Sequence, residues 1–149
     1  MVQSELNGLA VYHSVRKISG LIGLANVSGH FFMDRGLRDA TNRDILLWLL
    51  RRRRRFRITG RSMWPLLQPG EEVLLDPTAY RQAVPLQGDI VVAQHPYRPQ
   101  LYVVKRVAVV FEDGRCFLRG DNGRESTDSS SFGAIAPEAI LGKVVSRFP

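Results

Sequence analysis

From Phe56 to the C-terminus, the chain consists of short apolar segments rich in β-branched residues, each followed within a few positions by Gly, Pro or Asp. Segments this short suit strands joined by tight turns better than helices. Asp113-Gly114, between the fourth and fifth segments, is a strong hairpin signal. The pattern predicts a mainly β fold, a single antiparallel β domain over residues 56–149, with strands at 56–59, 73–75, 90–93, 101–110, 116–119 and 141–145.

Residues 1–55 have a different texture, and we expect them to form an N-terminal basic extension that is partly helical or disordered. Residues 1–40 show no sustained period of 3.6 or 2. Thr41 followed three positions later by Asp44 is typical of a helix N-cap. The apolar run 45–50 then predicts a short helix that ends in the basic run 51–55.

The net charge of +7 comes entirely from this N-terminal part. Residues 1–60 carry 11 Lys or Arg against 4 Asp or Glu, whereas residues 61–149 carry 10 of each sign. The five consecutive arginines suit nucleic acid or an anionic membrane. Because no stacking aromatics or known binding module accompany them, we favour a solvated helix end or linker. We expect no nucleic acid partner and leave open a peripheral membrane contact through Arg51 to Arg57.

Several compartments and kinds of site are disfavoured by composition. Cys116 is the only cysteine, so an internal disulfide is excluded, and His13, His30 and His95 lack metal-ligand spacing. Residues 45–50 are the longest pure apolar run, far below the roughly 20 residues needed to span a bilayer. Polar residues occupy the place of a signal peptide. We therefore expect a cytoplasmic protein without a transmembrane anchor, metal or cofactor.

The predicted strand 101–110 places one lysine on an aliphatic face. Side chains alternate along a strand, so Lys105 shares its face with four aliphatic residues, Leu101, Val103, Val107 and Val109. Desolvation lowers the pKa of a buried lysine by up to about 3 to 5 units, which leaves a neutral amine able to act as a general base. Only three of the 21 Lys and Arg residues are lysines, and arginine cannot lose its proton in this way. The structural alternative is a lysine that snorkels from a strand end.

A turn around Ser62 is a second candidate. Gly60 permits a tight bend after a strand, and Pro65 restricts Trp64 to extended geometry. Such a turn exposes a serine together with backbone N–H groups, as a nucleophile beside an oxyanion hole requires. A serine in a turn is, taken alone, most often a turn former or cap.

A polar segment at 120–130, which composition alone predicts to be a surface loop, completes a pattern that no single segment carries. Four segments, in chain order, resemble the characteristic boxes of the signal peptidase I family of Ser-Lys proteases. They are Gly60-Arg61-Ser62-Met63-Trp64-Pro65-Leu66-Leu67, Gly88-Asp89-Ile90-Val91-Val92, Val104-Lys105-Arg106-Val107, and residues 120–130 with Gly-Asp-Asn followed by Ser-x-Asp-Ser.

The resemblance covers about residues 58–145 and implies a β domain of signal-peptidase type. It implies a serine endopeptidase in which Ser62 is the nucleophile, Lys105 is the general base and Ser126 orients the lysine. Four further residues would support the site: Asp121, Asp128, Gly60 and Met63. Neither a metal nor a cofactor is needed for such a mechanism.

This chain departs from the family pattern at three points. Ser130 stands where an arginine usually ends the last box, Gly60 replaces a serine that some members use in the oxyanion hole, and no transmembrane anchor is predicted. Short members with these motifs, which this chain resembles, are the nickel-type superoxide dismutase maturation proteases. The resemblance implies a precursor protein as partner, nickel superoxide dismutase with its N-terminal leader.

Other functions stay open at this point. One is a divergent signal peptidase I that acts on secretory preproteins. Another is a non-enzymatic basic adaptor that binds RNA or anionic lipid through residues 51–57. Self-cleaving repressors of the SOS type share the Ser-Lys dyad, but no helix-turn-helix pattern or Ala-Gly linker precedes Ser62 here.

Overall fold

The computed structural model describes residues 36–149. Six strands form one sheet in the order β1-β2-β6-β3-β4-β5, and every neighbouring pair is antiparallel. The prediction of a mainly β, antiparallel fold is confirmed. The strands are β1 Arg54–Arg57, β2 Glu72–Asp76, β3 Ile90–His95, β4 Arg98–Val110, β5 Cys116–Arg119 and β6 Ile140–Arg147.

Helix is scarce in the described part of the chain. Helix α1 spans Asn42–Leu49, helix α2 spans Ser129–Phe132, and a single 3-10 turn spans Pro137–Ala139. None of the helices within residues 36–149 is long and apolar enough to cross a bilayer. Helix α1 begins directly after Thr41, as the sequence predicts. The prediction for residues 1–35 concerns a part of the chain that lies outside the described residues.

The central strand β3 explains why the core has two parts. Ile90 and Val92 belong to one buried cluster, whereas Val91 and Ala93 belong to another, because successive side chains point to opposite faces of the sheet. The first cluster also contains Met63 and residues of β2 and β6. The second contains residues of β4, β5 and α2. A strand buried on both faces reads as a continuous apolar run, as residues 90–93 do.

The hairpin between β4 and β5 forms where Asp113-Gly114 predicts it. Gly114 has φ of +82°, a left-handed conformation that favours glycine. Its N–H donates to the carbonyl of Phe111, and the Asp113 carboxylate accepts from the N–H of Arg115. The hairpin pairs β5 with only the last part of β4, from Arg106 to Val110. Among the described residues, the first part of β4 therefore has a free edge on that side.

Strand β1 begins two residues earlier than predicted. The apolar pattern does not reveal this extension, because the added residues are arginines and one of them is held by an ion pair. The strand occupies Arg54–Arg57 rather than residues 56–59. Arg53 pairs with Asp76 at 2.8 Å and Arg55 with Glu72 at 3.3 Å, both across to β2. The basic run 51–55, interpreted above as a helix end or linker, is thus divided between a turn and this edge strand.

The segment before the sheet makes specific contacts with the last strand. The N–H of Ala40 donates to the carbonyl of Arg147, and the N–H of Arg147 donates to the carbonyl of Arg38. On α1, Trp48 packs edge-on against Phe148 with ring centroids 5.0 Å apart. Contacts therefore cross the predicted boundary between residues 55 and 56.

Helix α1 begins at a capping box that also contains an ion pair. The carboxylate of Asp44 accepts from the N–H and hydroxyl of Thr41 and pairs with the guanidinium of Arg38. Asp44 is buried, and the Arg38 guanidinium together with Thr41 holds the pKa of this carboxyl well below its usual range. One side chain thus fixes both the helix start and the segment that precedes it.

We expect Asp44→Ala to lower the free energy of unfolding by about 2 kcal/mol, because it removes a helix cap and leaves Arg38 without its partner. Asp39→Ala is the matched control, since the Asp39 side chain is 88% exposed. It should change the stability by less than about 0.5 kcal/mol. Urea unfolding at neutral pH measures both values, and equal losses would contradict the assigned role of Asp44.

Candidate active site

A groove of about 180 Å³ brings together residues that are distant in the sequence. It is lined by residues 57–60 and 102–105 together with Ser62 and Met63. Residues 102–105 belong to the part of β4 that β5 leaves unpaired. The two predicted catalytic residues, Ser62 and Lys105, therefore line one groove beside a free strand edge.

Lys105 is buried in the sheet, with only 3% of its surface exposed. We expected its face of β4 to be aliphatic, and Val107 does lie in the second core cluster, although Leu101 is exposed. The register with β5 shifts after Val107, so Val110, rather than Val109, packs against that cluster. The snorkelling alternative is not observed, because the lysine lies in the buried middle of the strand.

The surroundings of Lys105 favour its neutral form. Burial lowers the pKa of its amine, and the negative charge of Asp128 only partly opposes this effect. Nζ donates a hydrogen bond of 2.9 Å to Ser126 Oγ. No salt bridge among residues 36–149 includes Lys105. The lysine is thus held by a neutral hydroxyl instead of a carboxylate, which keeps the cost of its charge high.

Asp128 holds Ser126 in place. Ser126 Oγ donates to Asp128 Oδ2 at 3.2 Å. Asp128 Oδ2 also accepts from the N–H of Gly120. The other carboxylate oxygen accepts from the N–H of Ser130 and so caps helix α2. Burial alone raises the pKa of the Asp128 carboxyl, but these donors outweigh it and the net pKa is lowered.

Ser130, which stands where the resembled family usually has an arginine, contributes to this loop through its backbone. Its N–H lies 3.0 Å from Asp128 Oδ1. Helix α2, which starts at Ser129, then packs Phe132 into the second core cluster. The capped helix therefore stabilises the loop without an arginine at position 130.

The loop that carries Ser62 is anchored by its neighbours. Met63 and Leu67 are fully buried in the first core cluster, and the N–H of Leu67 donates to the carbonyl of Met63. Ser62 itself is half-buried at the groove. Met63 is thus a packing residue that fixes the position of the serine next to it.

Asn122 joins the Ser62 loop to the loop of residues 120–130. Its N–H donates to the carbonyl of Ser62 at 2.9 Å, and its side-chain amide donates to the carbonyl of Arg61. We assigned no role to this residue from the sequence, although it lies within the quoted Gly-Asp-Asn box. An asparagine side chain that bonds to a distant backbone leaves no periodic signal in a sequence.

Gly120 permits the close approach of the two loops. A Cβ atom at this position would overlap Ser126 Oγ and the carbonyl oxygen of Ser62. A Cβ atom at Gly60, in contrast, would meet no heavy atom within 4 Å, and the φ of Gly60 is not left-handed. Close packing therefore requires glycine at position 120, whereas the space around Gly60 would admit a side chain.

Asp121 supports the site from a distance. Both of its carboxylate oxygens accept from the buried guanidinium of Arg106, each at 2.8 Å. A further nitrogen of Arg106 donates to the carbonyl of Gly88. This clamp joins the 120–130 loop to β4 and to the turn before β3. Arg106 was not predicted as a site residue; its only signal is its place directly after Lys105, on the opposite face of the strand.

Ser62 and Lys105, the predicted catalytic pair, line one groove but are not hydrogen-bonded to each other. Within residues 36–149, no hydrogen bond connects the Ser62 hydroxyl to Lys105, although both side chains line the groove. Catalytic hydrogen bonds are often long in enzymes without substrate and tighten when substrate binds. The structure therefore places Ser62 and Lys105 at one groove and Ser126 within hydrogen-bond distance of Lys105.

Comparisons with known proteins support the resemblance that the motifs predict. A family model described as signal peptidase, peptidase S26, matches residues 45–111, a stretch that includes Ser62 and Lys105. The chain is 31% identical over 110 residues to mitochondrial ATP-independent inner membrane protease subunit 1b of Arabidopsis thaliana, which covers 59% of this chain and 65% of that protein. It is also 31% identical over 108 residues to mitochondrial inner membrane protease subunit 2 of Danio rerio, over 58% of this chain and 59% of that one.

A third relative is mitochondrial inner membrane protease subunit 1 of Xenopus tropicalis, 29% identical over 108 residues, which are 60% of this chain and 65% of that protein. The alignments thus span between 59% and 65% of the length of these relatives. The chain is thus similar to a family described as signal peptidases and to proteins named as subunits of mitochondrial inner membrane proteases.

We expect Gly120→Ala to lower the free energy of unfolding by about 1 to 3 kcal/mol, because its methyl group forces Ser126 and the Ser62 loop apart. Gly123→Ala, three positions on, is the control, since no atom lies within 4 Å of the added carbon. It should change stability by less than about 0.5 kcal/mol. Thermal unfolding of both variants separates them, and indistinguishable midpoints would show that the loops do not pack as described.

The lowered pKa of Lys105 predicts a pH-dependent difference in stability between the wild type and Lys105→Met. An unfolded lysine keeps its proton up to a pKa of about 10.4, whereas the folded protein releases it at lower pH. Burial of the charge therefore destabilises the wild type most at low pH, and this penalty disappears as pH rises through the folded and then the unfolded pKa. The free energy of unfolding of the wild type minus that of the variant should increase between pH 7 and about pH 10.5. Urea titrations of both proteins at each pH measure this difference in free energy of unfolding. A difference that stays constant or decreases with pH would contradict burial of the amine.

Proposed function

We propose that this chain is a serine endopeptidase of the signal-peptidase type, with Ser62 as nucleophile and Lys105 as general base. One observation carries the proposal. A buried lysine, whose pKa is lowered, is held by Ser126 in the same groove as a serine whose loop is bonded to the Ser126 loop. Two groups suited to covalent catalysis are thus positioned by one set of contacts.

The hydrogen-bond directions leave the lysine free to act as a base. The single proton of the Ser126 hydroxyl is donated to Asp128, so Ser126 Oγ accepts from Lys105 Nζ. A neutral amine that donates one hydrogen to Ser126 keeps its lone pair available. That lone pair can then accept the proton of the Ser62 hydroxyl when substrate completes the groove.

The proposed reaction proceeds through an acyl-enzyme. Lys105 takes the proton of Ser62 as Oγ bonds to the scissile carbonyl carbon, and the resulting ammonium donates that proton to the amine that leaves when the C–N bond breaks. In the second step, Lys105 accepts a proton from water while the water oxygen attacks the ester. Return of this proton to Ser62 Oγ releases the carboxylic acid product and restores the dyad.

The Ser62 loop also offers a donor for the oxyanion. Among the hydrogen bonds within residues 36–149, none uses the backbone N–H of Ser62, whereas its carbonyl is bonded to Asn122. An N–H group held by a rigid loop stabilises negative charge on the carbonyl oxygen without reorganisation. The buried Met63 and the Asn122 contact supply that rigidity.

The groove suits an extended peptide. Residues 102–105 of β4 present backbone groups that β5 does not pair, and a substrate strand can add to such an edge. Ile58, Met63 and Val104 provide apolar walls. Main-chain bonds would supply affinity. In the resembled family, shallow pockets favour small residues before the scissile bond, and we propose the same preference here.

Removal of an N-terminal leader is the reaction we propose for this groove, and the precursor of nickel superoxide dismutase is the substrate we propose. The boxes around Ser62 and Lys105, and their resemblance to the maturation proteases of that dismutase, support this choice. The named relatives are subunits of proteases of the mitochondrial inner membrane. A secretory preprotein is the competing substrate.

We expect Ser62→Ala and Lys105→Arg each to lower kcat/KM at least about 1000-fold while the fold is retained, because members of one catalytic unit fail together. Arginine fails because it stays protonated. Ser131→Ala, which alters an exposed serine of helix α2, is the control and should stay within about twofold of the wild type. Peptide cleavage and circular dichroism are measured on the same samples. A folded Ser62→Ala protein with a tenth of wild-type turnover would exclude this serine as nucleophile.

To test the proposed substrate, the protein is incubated with a nickel superoxide dismutase precursor and, in a separate reaction, with a secretory preprotein. We expect one new N-terminus in the dismutase, after a small residue, because the resembled family favours small residues before the scissile bond. Mass spectrometry of the products reads it, and Ser62→Ala protein serves as the blank. Cleavage of the secretory preprotein alone would identify a signal peptidase and reject the proposed substrate.

A further inference from the structure

Helix α1 has an apolar face that no described residue covers. Leu46, Leu49 and Leu50 are spaced at i, i+3 and i+4, so they lie on one side of the helix. Their exposed fractions are 55%, 65% and 59%. The opposite side holds Trp48 against Phe148. Three leucines in water at the end of one short helix are more than the scattered exposure that single apolar residues show.

Uncompensated positive charge follows these leucines directly. Arg53 and Arg55 are paired with Asp76 and Glu72 on β2. Arg51, Arg52 and Arg54 are exposed and take part in no salt bridge within residues 36–149. Acidic residues of β2 therefore pair with two arginines of the run, and the other three, which follow the leucines in the sequence, are exposed to solvent.

The position of Arg51 is unusual for its residue type. Its φ of 58° lies in the left-handed region, directly after the C-cap residue Leu50. Glycine is the common residue at such a helix end because it has no Cβ. An arginine here accepts an unfavourable backbone conformation directly after the last leucine of the apolar face.

We propose that Leu46, Leu49 and Leu50 together with Arg51, Arg52 and Arg54 form a docking surface for an anionic lipid bilayer. The leucines enter the boundary between headgroups and acyl chains, and the guanidinium groups bind lipid phosphates. This combination of aliphatic side chains with free cations matches the chemistry of that boundary. RNA is a poorer match, since aliphatic leucines offer no stacking surface for bases and Trp48 is already packed against Phe148.

The docking surface is continuous with the groove. Strand β1 runs from Arg54 to Arg57, and Arg57 lines the groove. These two residues are about 10 Å apart along an extended strand. A docked protein would thus hold its groove near the bilayer surface. Docking itself uses neither Ser62 nor Lys105, so its test is separate from that of the peptidase activity.

The test measures co-sedimentation of the full chain with vesicles of phosphatidylcholine alone and with vesicles that contain about 30% phosphatidylglycerol. We expect binding to the anionic vesicles at low salt, and weaker binding as salt screens the charges. The triple variant Arg51→Gln, Arg52→Gln, Arg54→Gln should bind about 100-fold more weakly, since each arginine near such a surface contributes about fivefold. Leu46→Ser with Leu49→Ser should weaken binding about tenfold or more.

Matched controls separate this surface from general charge and stickiness. The variant with Arg81, Arg98 and Arg119 each changed to Gln has the same net charge as the triple variant, and its three sites are also exposed. Val84→Ser with Leu86→Ser removes apolar side chains that are 62% and 61% exposed. Both controls should keep at least half of the wild-type affinity. Equal losses in test and control variants would overturn the proposal.

A label reports insertion directly. Cys116 is fully buried, so a polarity-sensitive fluorophore can be attached selectively to Leu49→Cys. Its emission should shift to the blue with anionic vesicles, whereas a label at Leu86→Cys should not respond. No shift at position 49, or no sedimentation with anionic vesicles at low salt, would exclude docking by this face.

Other occupants of the face would give different results. Tight binding of an RNA oligonucleotide that needs the three arginines but not the leucines, without vesicle binding, would indicate a nucleic-acid surface. A dimer in solution that the leucine substitutions convert to a monomer would indicate contact between two copies. A fluorophore at position 49 that is already shielded before vesicles are added would indicate coverage by residues 1–35. Each of these outcomes rejects the bilayer as the occupant.

Discussion

The burial of the Lys105 amine in strand β4 is the constraint on which the rest of the site depends. An ammonium group at 3% exposure without an acidic partner in a salt bridge is unfavourable, and the protein meets this with one hydrogen bond to a neutral hydroxyl. The consequence is a lysine whose pKa is lowered. A carboxylate in direct contact would have raised the pKa instead. The negative charge of Asp128 is kept one hydroxyl away, where it orients Ser126 and only partly opposes the effect of burial.

The same contacts build the groove. Gly120 lets the Ser62 loop and the Ser126 loop touch, Asn122 bonds them together, and the Arg106–Asp121 pair fixes the second loop to the sheet. The early end of β5 leaves the edge of β4 beside Lys105 without a strand partner among the described residues. The proposed general base and the proposed substrate edge therefore lie on the same strand, β4, which extends beyond its shorter neighbour β5.

The sequence predicts most of the fold because burial produces visible patterns. Apolar runs locate β2, β3 and β5, and Asp113-Gly114 locates the hairpin. The position of Lys105 among aliphatic residues of one strand predicts that its side chain is buried, as it is in the structure. Strand β1 is different, since ion pairs join Arg53, just before the strand, and Arg55, within it, to Asp76 and Glu72 of β2, and such pairing has no period along the chain.

The site is predicted less completely, for a related reason. Ser62, Lys105 and Ser126 are indicated by motif resemblance, and the structure places Lys105 against Ser126 and Ser62 at the same groove. The roles of Gly120 and Asn122 depend on the distance between two loops, which no local pattern encodes.

The most direct measurement of the central claim is the titration of Lys105 itself by nuclear magnetic resonance, observed at Nζ in protein with labelled lysine. The chain has three lysines, Lys17, Lys105 and Lys143, so Lys105→Arg identifies the signal by its loss. The account predicts that burial makes the Lys105 amine titrate below the pKa of about 10.4 of a free lysine. A midpoint at or above that value would show that the amine remains an ammonium group at neutral pH, and it would contradict the assignment of Lys105 as the general base.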